Sequence, residues 1–157
     1  MPRLFKIYRS SAGSGKTFTL TKEYLKLALA APYYKHSFKP DYFRHILAIT
    51  FTNFAANEMK ERILTALTEM ADGKRTPLFE AIYAEIAQEY PHPPYAPLNP
   101  DDLLARAKDV HQYLLHRYTD FSVSTIDAFS QRIVQSFRRE LKLPYHYALE
   151  LNSDELL

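Results

Sequence analysis

Cysteine is absent from this chain of 157 residues, and glycine occurs only three times. Without cysteine the protein cannot form disulfides or thiolate metal sites, so a reducing compartment is allowed. The longest apolar run near the start is too short to span a membrane, and Lys6 and Arg9 interrupt any signal-peptide core. We therefore expect a cytoplasmic protein with no membrane partner.

The rest of the composition is that of an ordinary globular protein. Hydrophobic residues make up 46% of the chain and charged residues 24%, and the length suits one domain with a proper core. The net charge is only +2. Any surface that binds nucleic acid must therefore be a local patch, because the overall charge does not attract phosphates strongly.

Two of the three glycines lie in the stretch SSAGSGKTFTL, residues 10–20. A strand predicted at 4–8 precedes this stretch, and an amphipathic helix is predicted from Thr17. A loop between a strand and a helix N-terminus binds phosphate through backbone N–H groups, and glycine lets the backbone approach closely. Lys16 then reaches the β- and γ-phosphates of a nucleotide, and Thr17 binds Mg²⁺.

The match to the phosphate-loop pattern G-x-x-x-x-G-K-[ST] lacks only the first glycine, which is Ser10 here. The alternative is a solvated turn with an incidental lysine. On the first interpretation, the sequence predicts ATP and Mg²⁺ as cofactors and assigns Lys16 and Thr17 to catalysis. The predicted nucleotide-binding residues are Ser10, Ser11, Ala12, Gly13, Ser14, Gly15, Lys16 and Thr17.

Strands and helices alternate along the chain, which predicts an α/β fold. HILAITF at 45–51 has the continuous apolar character of a strand buried on both faces, and Asn53 is predicted to cap the helix after it. Further strands are predicted at 121–126 and 145–151, with a helix at 127–141 between them. The fold class is thus a P-loop NTPase (RecA-like) parallel sheet flanked by helices, as an incomplete domain.

An all-helical insertion is predicted within this fold, because residues 72–118 show no strand pattern. Two helices are expected there, one with the buried face Phe79, Ile82, Ile86 and Tyr90 and one that begins at Asn99–Pro100. The predicted organisation is therefore a first half of the core at 1–71, the insertion at 72–118, and a return to the core at 119–157.

Three segments in order carry a resemblance to a known family. They are SSAGSGKTFTL at 10–20, ILAITFTNFAANEMKERI at 46–63 and VSTIDAFSQRIV at 123–134. These resemble the nucleotide-binding motif, motif Ia and motif Ib of UvrD-like superfamily 1 DNA helicases, particularly the AddA/RecB-type subunits of helicase–nuclease complexes. Two departures stand out: Phe54 replaces a lysine found in many members, and Asp127 replaces a common histidine.

The resemblance implies that motifs Ia and Ib line a groove for single-stranded DNA. Carried over by position, the implied DNA contacts are Phe51, Thr52, Asn53, Thr125, Asp127 and Phe129. An aromatic ring can stack on any base, which suits Phe51. The residues alone leave an alternative open, in which Phe51 and Phe129 are core aromatics and Asp127 is a helix cap.

The function implied by the resemblance is the ATP-binding N-terminal part of an ATP-dependent DNA helicase in recombination or repair, with a nuclease subunit as a possible partner. The chain shows no Walker B strand and no arginine finger, so we expect this piece to be inactive alone. Two other classes remain open from the residues. One is a small P-loop kinase, and the other is a non-catalytic domain that binds nucleotide and mediates interactions.

Overall fold

A computed structural model describes residues 5–8, 15–31, 37–92, 99–140 and Lys142. Contacts divide the chain into two compact units, Met1–Thr125 and Ile126–Leu157. In chain order the elements are α1 (Lys16–Ala30), β1 (Ala48–Thr50), α2 (Asn53–Ala71), α3 (Pro77–Glu89), α4 (Pro100–His116), β2 (Val123–Thr125) and α5 (Ile126–Ser136). The first unit contains all of these except α5. The described part of the chain is therefore mostly helical.

Local sequence signals account for the ends of α2, α3 and α4. The side chain of Asn99 accepts a hydrogen bond from the N–H of Asp102 at 2.8 Å, which confirms the predicted start of α4. Thr76 caps α3 in the same way, with Pro77 as the first helical residue. Gly73 ends α2 with φ 81°, and its N–H donates to the carbonyl of Met70.

The core of the first unit lies between the four helices. Helix α2 packs against α1 and α4, and α1 also packs against α3. The spacing of apolar residues predicts a buried stripe on α2, and all of its members are buried: Ala56, Met59, Ile63, Leu67 and Met70. The face predicted for α3 is buried as well. The same spacing predicts that Leu20 lies on the buried face of α1 with Tyr24, but Leu20 is exposed, and the buried residues of that helix begin at Thr21.

The two strands form a parallel pair, which confirms the predicted strand direction. Ala48 lies opposite Val123, and Thr50 lies opposite Thr125. Helix α2 contacts both strands, and Val123 is buried. The first strand is shorter than the predicted 45–51, and Ile49 is exposed rather than buried. The prediction of burial on both faces was wrong because an apolar run reports hydrophobicity, whereas burial requires a layer on each side.

Other predicted elements differ from the structure or fall outside the described ranges. Residues 5–8 form no strand, although one was predicted at 4–8. An apolar segment becomes a strand only when its backbone pairs with a neighbour, and β1 and β2 pair with each other. Helix α5 ends at Ser136, before the predicted limit of 141. The strand predicted at 145–151 lies outside the described residues, so the larger RecA-like sheet stays a prediction.

No helix in the described ranges is both long and apolar enough to cross a membrane.

Helices α1 and α3 are joined by a cluster of charges around Lys26. The Lys26 side chain is 1% exposed, and its Nζ lies 2.8 Å from a carboxylate oxygen of Glu23, 2.8 Å from Glu85 and 3.1 Å from Glu89. Lys22 of α1 pairs with Glu85 at the edge of the same cluster. Burying an ammonium group is costly unless carboxylates surround it, so this cluster determines which face of α3 meets α1.

The charges in this cluster shift each other's pKa values. Burial alone would raise the pKa of Glu85 and Glu89, but the lysine ammonium groups that donate hydrogen bonds to them outweigh burial, so both pKa values are lowered. Burial alone would lower the pKa of Lys26, but its hydrogen bonds to the carboxylates raise it. Glu85, Glu89 and Lys26 are therefore held in their charged forms at neutral pH.

The lowered pKa values of Glu85 and Glu89 predict a loss of stability in acid. Their contribution is complete above the ordinary pKa of 4.5 and disappears as the pH falls through the lower folded-state values. We expect the free energy of unfolding, measured by urea denaturation, to fall as the pH drops below the ordinary glutamate pKa of 4.5. A variant with both Glu85→Gln and Glu89→Gln should show a shallower fall.

The matched control is Glu80→Gln, which changes an exposed glutamate in the first turn of the same helix. This variant should retain the full pH dependence of the parent protein. If the double variant kept the same slope as the parent, the stabilising role of the cluster would be contradicted.

Candidate functional site

At the N-terminus of α1, Gly15 has a backbone conformation that suits a phosphate loop. Gly15 lies directly before the helix with φ 77° and ψ 23°, a left-handed conformation that favours glycine. No side chain among the described residues caps this end, and the first bond of the helix runs from the N–H of Thr19 to the carbonyl of Gly15 at 2.9 Å. The first N–H groups of a helix have no partners within it, so this end is suited to an anion.

Three residues of the predicted nucleotide site lie in the described ranges. Gly15 and Lys16 are exposed, and Thr17 is half-buried. The other predicted residues, Ser10, Ser11, Ala12, Gly13 and Ser14, lie outside the described residues. The chemistry of the described set fits a nucleotide phosphate, since it combines backbone donors, an exposed ammonium group and a hydroxyl that can bind Mg²⁺. Within the described ranges no group of three or more His, Cys, Asp or Glu side chains is placed to hold a metal ion.

The start of α2 differs from the prediction by one residue. The N-cap is Thr52, not Asn53: the Thr52 hydroxyl accepts a hydrogen bond from the N–H of Ala55 at 3.1 Å. Thr52 has extended backbone angles, and its carbonyl accepts from the N–H of Ala56 at 3.0 Å. Threonine caps helices for the same physical reason as asparagine, so the sequence alone left two adjacent choices. Asn53 is the first helical residue and is exposed.

Two phenylalanine rings at this end of α2 lie open to solvent. Phe51 is 91% exposed and Phe54 is 80% exposed, so neither belongs to the core of the described unit. The alternative of Phe51 as a core aromatic is therefore not supported. Sequence reasoning treated Phe54 only as a lost lysine contact and missed it as a second exposed ring. The signal was its place in the first turn of an amphipathic helix, opposite the apolar stripe.

The sheet brings Thr125 close to the start of α2. Both strands run in the same direction, and Thr50 and Thr125 are paired at their carboxyl ends. The residues that follow β1 therefore lie at the sheet edge where Thr125 lies. Thr125 itself is buried, whereas Phe51, Thr52 and Asn53 are exposed. In parallel sheets, ligands bind beyond the carboxyl ends of the strands.

The remaining predicted contacts belong to the second unit. Asp127 is an exposed residue in the first turn of α5, and Phe129 is half-buried two residues later. A carboxylate in the first turn of a helix stabilises the N-terminal end of the helix dipole. Asp127 is the second residue of α5 and so is not the helix cap of the alternative interpretation, although its carboxylate suits the first turn.

Comparison with known proteins finds a family model and a curated protein to which the chain is similar. The family model described as the UvrD/REP helicase N-terminal domain matches residues 7–155. The RecBCD enzyme subunit RecB of Haemophilus influenzae is 38% identical over 63 residues, which is 40% of this chain and 5% of that protein. The chain thus matches only a small part of this relative. No solved structure matches.

The backbone of Gly15 predicts the effect of a methyl group at that position. A Cβ there would meet no atom within 4 Å, so the cost of Gly15→Ala comes from the positive φ alone. We expect the free energy of unfolding to fall by about 1–2 kcal/mol, measured by urea denaturation. Gly73→Ala is the matched control, because Gly73 has φ 81° and equally open surroundings. A Gly15→Ala protein as stable as the parent, alongside a destabilised Gly73→Ala protein, would disprove the left-handed conformation at Gly15.

Proposed function

The chain belongs to the UvrD/REP helicase family, whose N-terminal domain matches nearly all of it, and we propose that it is the ATP-binding part of a DNA helicase motor. In the full-length protein this motor couples ATP hydrolysis to movement along single-stranded DNA in recombination or repair. The similarity to a protein named as a subunit of the RecBCD enzyme supports a further proposal: the motor works beside a nuclease subunit.

One observation carries the nucleotide proposal: left-handed Gly15 precedes α1 and is followed by Lys16 and Thr17, with no side-chain cap among the described residues. Backbone N–H groups and the Lys16 ammonium bind the phosphates, and the Thr17 hydroxyl holds Mg²⁺. When bound, Mg²⁺ neutralises charge on the phosphate oxygens. The proposed nucleotide site continues through Ser10, Ser11, Ala12, Gly13 and Ser14 on the strength of the family motif.

Exposure of Phe51 supports the proposal for DNA. An exposed ring at the carboxyl edge of a parallel sheet can stack on a base whatever the base identity, as a motor that moves along any sequence requires. Asn53 lies beside it with its polar side chain exposed. Phe54, in the first turn of α2, offers a second exposed ring. Thr52, Thr125, Asp127 and Phe129 are proposed as further contacts on the resemblance to motifs Ia and Ib.

Removal of the Lys16 ammonium tests the nucleotide site. In the full-length protein, we expect Lys16→Ala to lower DNA-stimulated ATPase turnover by about 10²–10³-fold, because the charge that develops on the phosphates loses its main cation. The measurement is phosphate release with and without single-stranded DNA. Lys74→Ala removes an exposed lysine beyond the end of α2 and should leave turnover unchanged.

The same assay separates the three functional classes. A motor hydrolyses ATP faster when DNA is present, a small-molecule kinase does not respond to DNA, and a non-catalytic domain shows no turnover. Full ATPase activity in the Lys16→Ala protein would contradict the assignment of this loop.

Removal of the Phe51 ring tests the DNA contact. We expect Phe51→Ala to weaken single-stranded DNA binding by about 5- to 150-fold, the equivalent of ~1–3 kcal/mol for one stacked base. Fluorescence anisotropy with a labelled oligonucleotide measures the change. The matched control is Tyr113→Ala, which removes a half-exposed ring from α4. Equal affinity for DNA in the Phe51→Ala and parent proteins would show that this ring does not touch the strand.

A further inference from the structure

The short segment before the predicted phosphate loop is attached to the helices by its side chains. Residues 5–8 form no strand, and Phe5 and Ile7 are exposed. Lys6, which alternates with them, pairs with Glu89 of α3 and lies 3.9 Å from Glu23 of α1. The hydroxyl of Tyr8 donates a hydrogen bond to Glu23 at 2.8 Å. These contacts hold the segment against α1 and α3.

Helix α1, which follows the loop, is held by the Glu89 carboxylate as well. Lys26 of α1 lies 3.1 Å from the Oε1 atom of Glu89, and Lys6 pairs with that same oxygen. Glu89 therefore receives one cation from the segment before the loop and one from the helix after it. Lys26 is almost fully buried, so water does not compete with Glu89 for its ammonium group.

From this sharing we infer that Lys6 and Glu89 are positioning residues for nucleotide binding: together they hold the segment before the phosphate loop at a set distance from helix α1. The inference rests on the proposed nucleotide function. A loop that wraps a phosphate binds best when its backbone donors are already in place, because ordering them on binding costs free energy. If the segment before the loop is released from the helices, nucleotide binding must also order that segment, which weakens the binding. Lys6 and Glu89 would thus act on the affinity without touching the nucleotide.

The distinguishing variant is Lys6→Met in the full-length protein. It removes the link to the segment before the loop and leaves the buried contacts of Lys26 in place. We expect the dissociation constant for a fluorescent ATP analogue to rise about 2- to 10-fold. The melting temperature should stay unchanged, because a partly exposed ion pair contributes little to stability. Lys6→Arg, which keeps the charge, should restore the parent affinity.

A matched control is available on the same pair of helices. Lys22 of α1 pairs with Glu85 of α3, so Lys22→Met removes one lysine and one ion pair of the same kind. In the described structure Lys22 forms its ion pair with Glu85 and has none with residues 5–8. Loss of Lys22 lowers the total positive charge by the same amount as loss of Lys6. This variant therefore controls for the general attraction between the positive charge of the protein and the anionic nucleotide. We expect the Lys22→Met protein to bind the analogue with the parent affinity.

A double-mutant cycle tests whether Lys6 acts through Glu89. Glu89→Gln retains the size of the side chain and removes its charge. If the two residues act as one tether, the variant with both changes binds the analogue no more weakly than the weaker of the single variants. Purely additive effects of the two changes would overturn the shared role.

Failure of the inference and failure of the proposed function give different results. If the parent protein does not bind the analogue, the proposed nucleotide function is wrong and the inference falls with it. If the parent binds and Lys6→Met has the same affinity as Lys22→Met, the nucleotide function stands and the tether is disproved.

Discussion

The buried ammonium group of Lys26 is the constraint on which the described fold depends. An ammonium that is 1% exposed requires nearby carboxylates, and three of them lie within about one hydrogen-bond length. Two of those carboxylates come from α3. Apolar residues alone can pack two helices in several registers, whereas one buried cation meets Glu85 and Glu89 in only one of them. The cluster therefore specifies how α3 lies on α1, and through Lys6 it extends to the segment before the loop.

Helices α1 and α2 differ in how their N-terminal N–H groups are capped. Helix α1 begins after Gly15, and none of the described side chains caps its first N–H groups, an arrangement that suits an anion. Helix α2 begins with Thr52, whose hydroxyl already binds the N–H of Ala55. The first start suits phosphates, and the second presents exposed phenylalanine rings instead. In the proposed function, binding of nucleotide phosphate and stacking on a base therefore belong to separate helix starts.

The start of α4 and the end of α2 were the most predictable features of this chain. Asn99 with Pro100 and the stop at Gly73 act through atoms within a few residues, so the sequence predicts them directly. The strands were less predictable. The apolar run at 45–51 becomes a strand of three residues, and the apolar residues at 5–8 form none. A strand depends on the neighbour that its backbone pairs with, and that neighbour is distant in sequence.

The sequence by itself determined where α4 begins and where α2 ends, which faces of α2 and α3 are apolar, and that a glycine-rich stretch with lysine and threonine precedes α1. Tertiary structure alone decided that Lys26 meets Glu85 and Glu89, which are 59 and 63 residues away, and that Thr125 lies opposite Thr50. It also decided that Phe51 stays in solvent. The physical reason is range: caps and helical periodicity act within one or two turns, whereas ion pairs, strand pairing and burial depend on how distant segments pack.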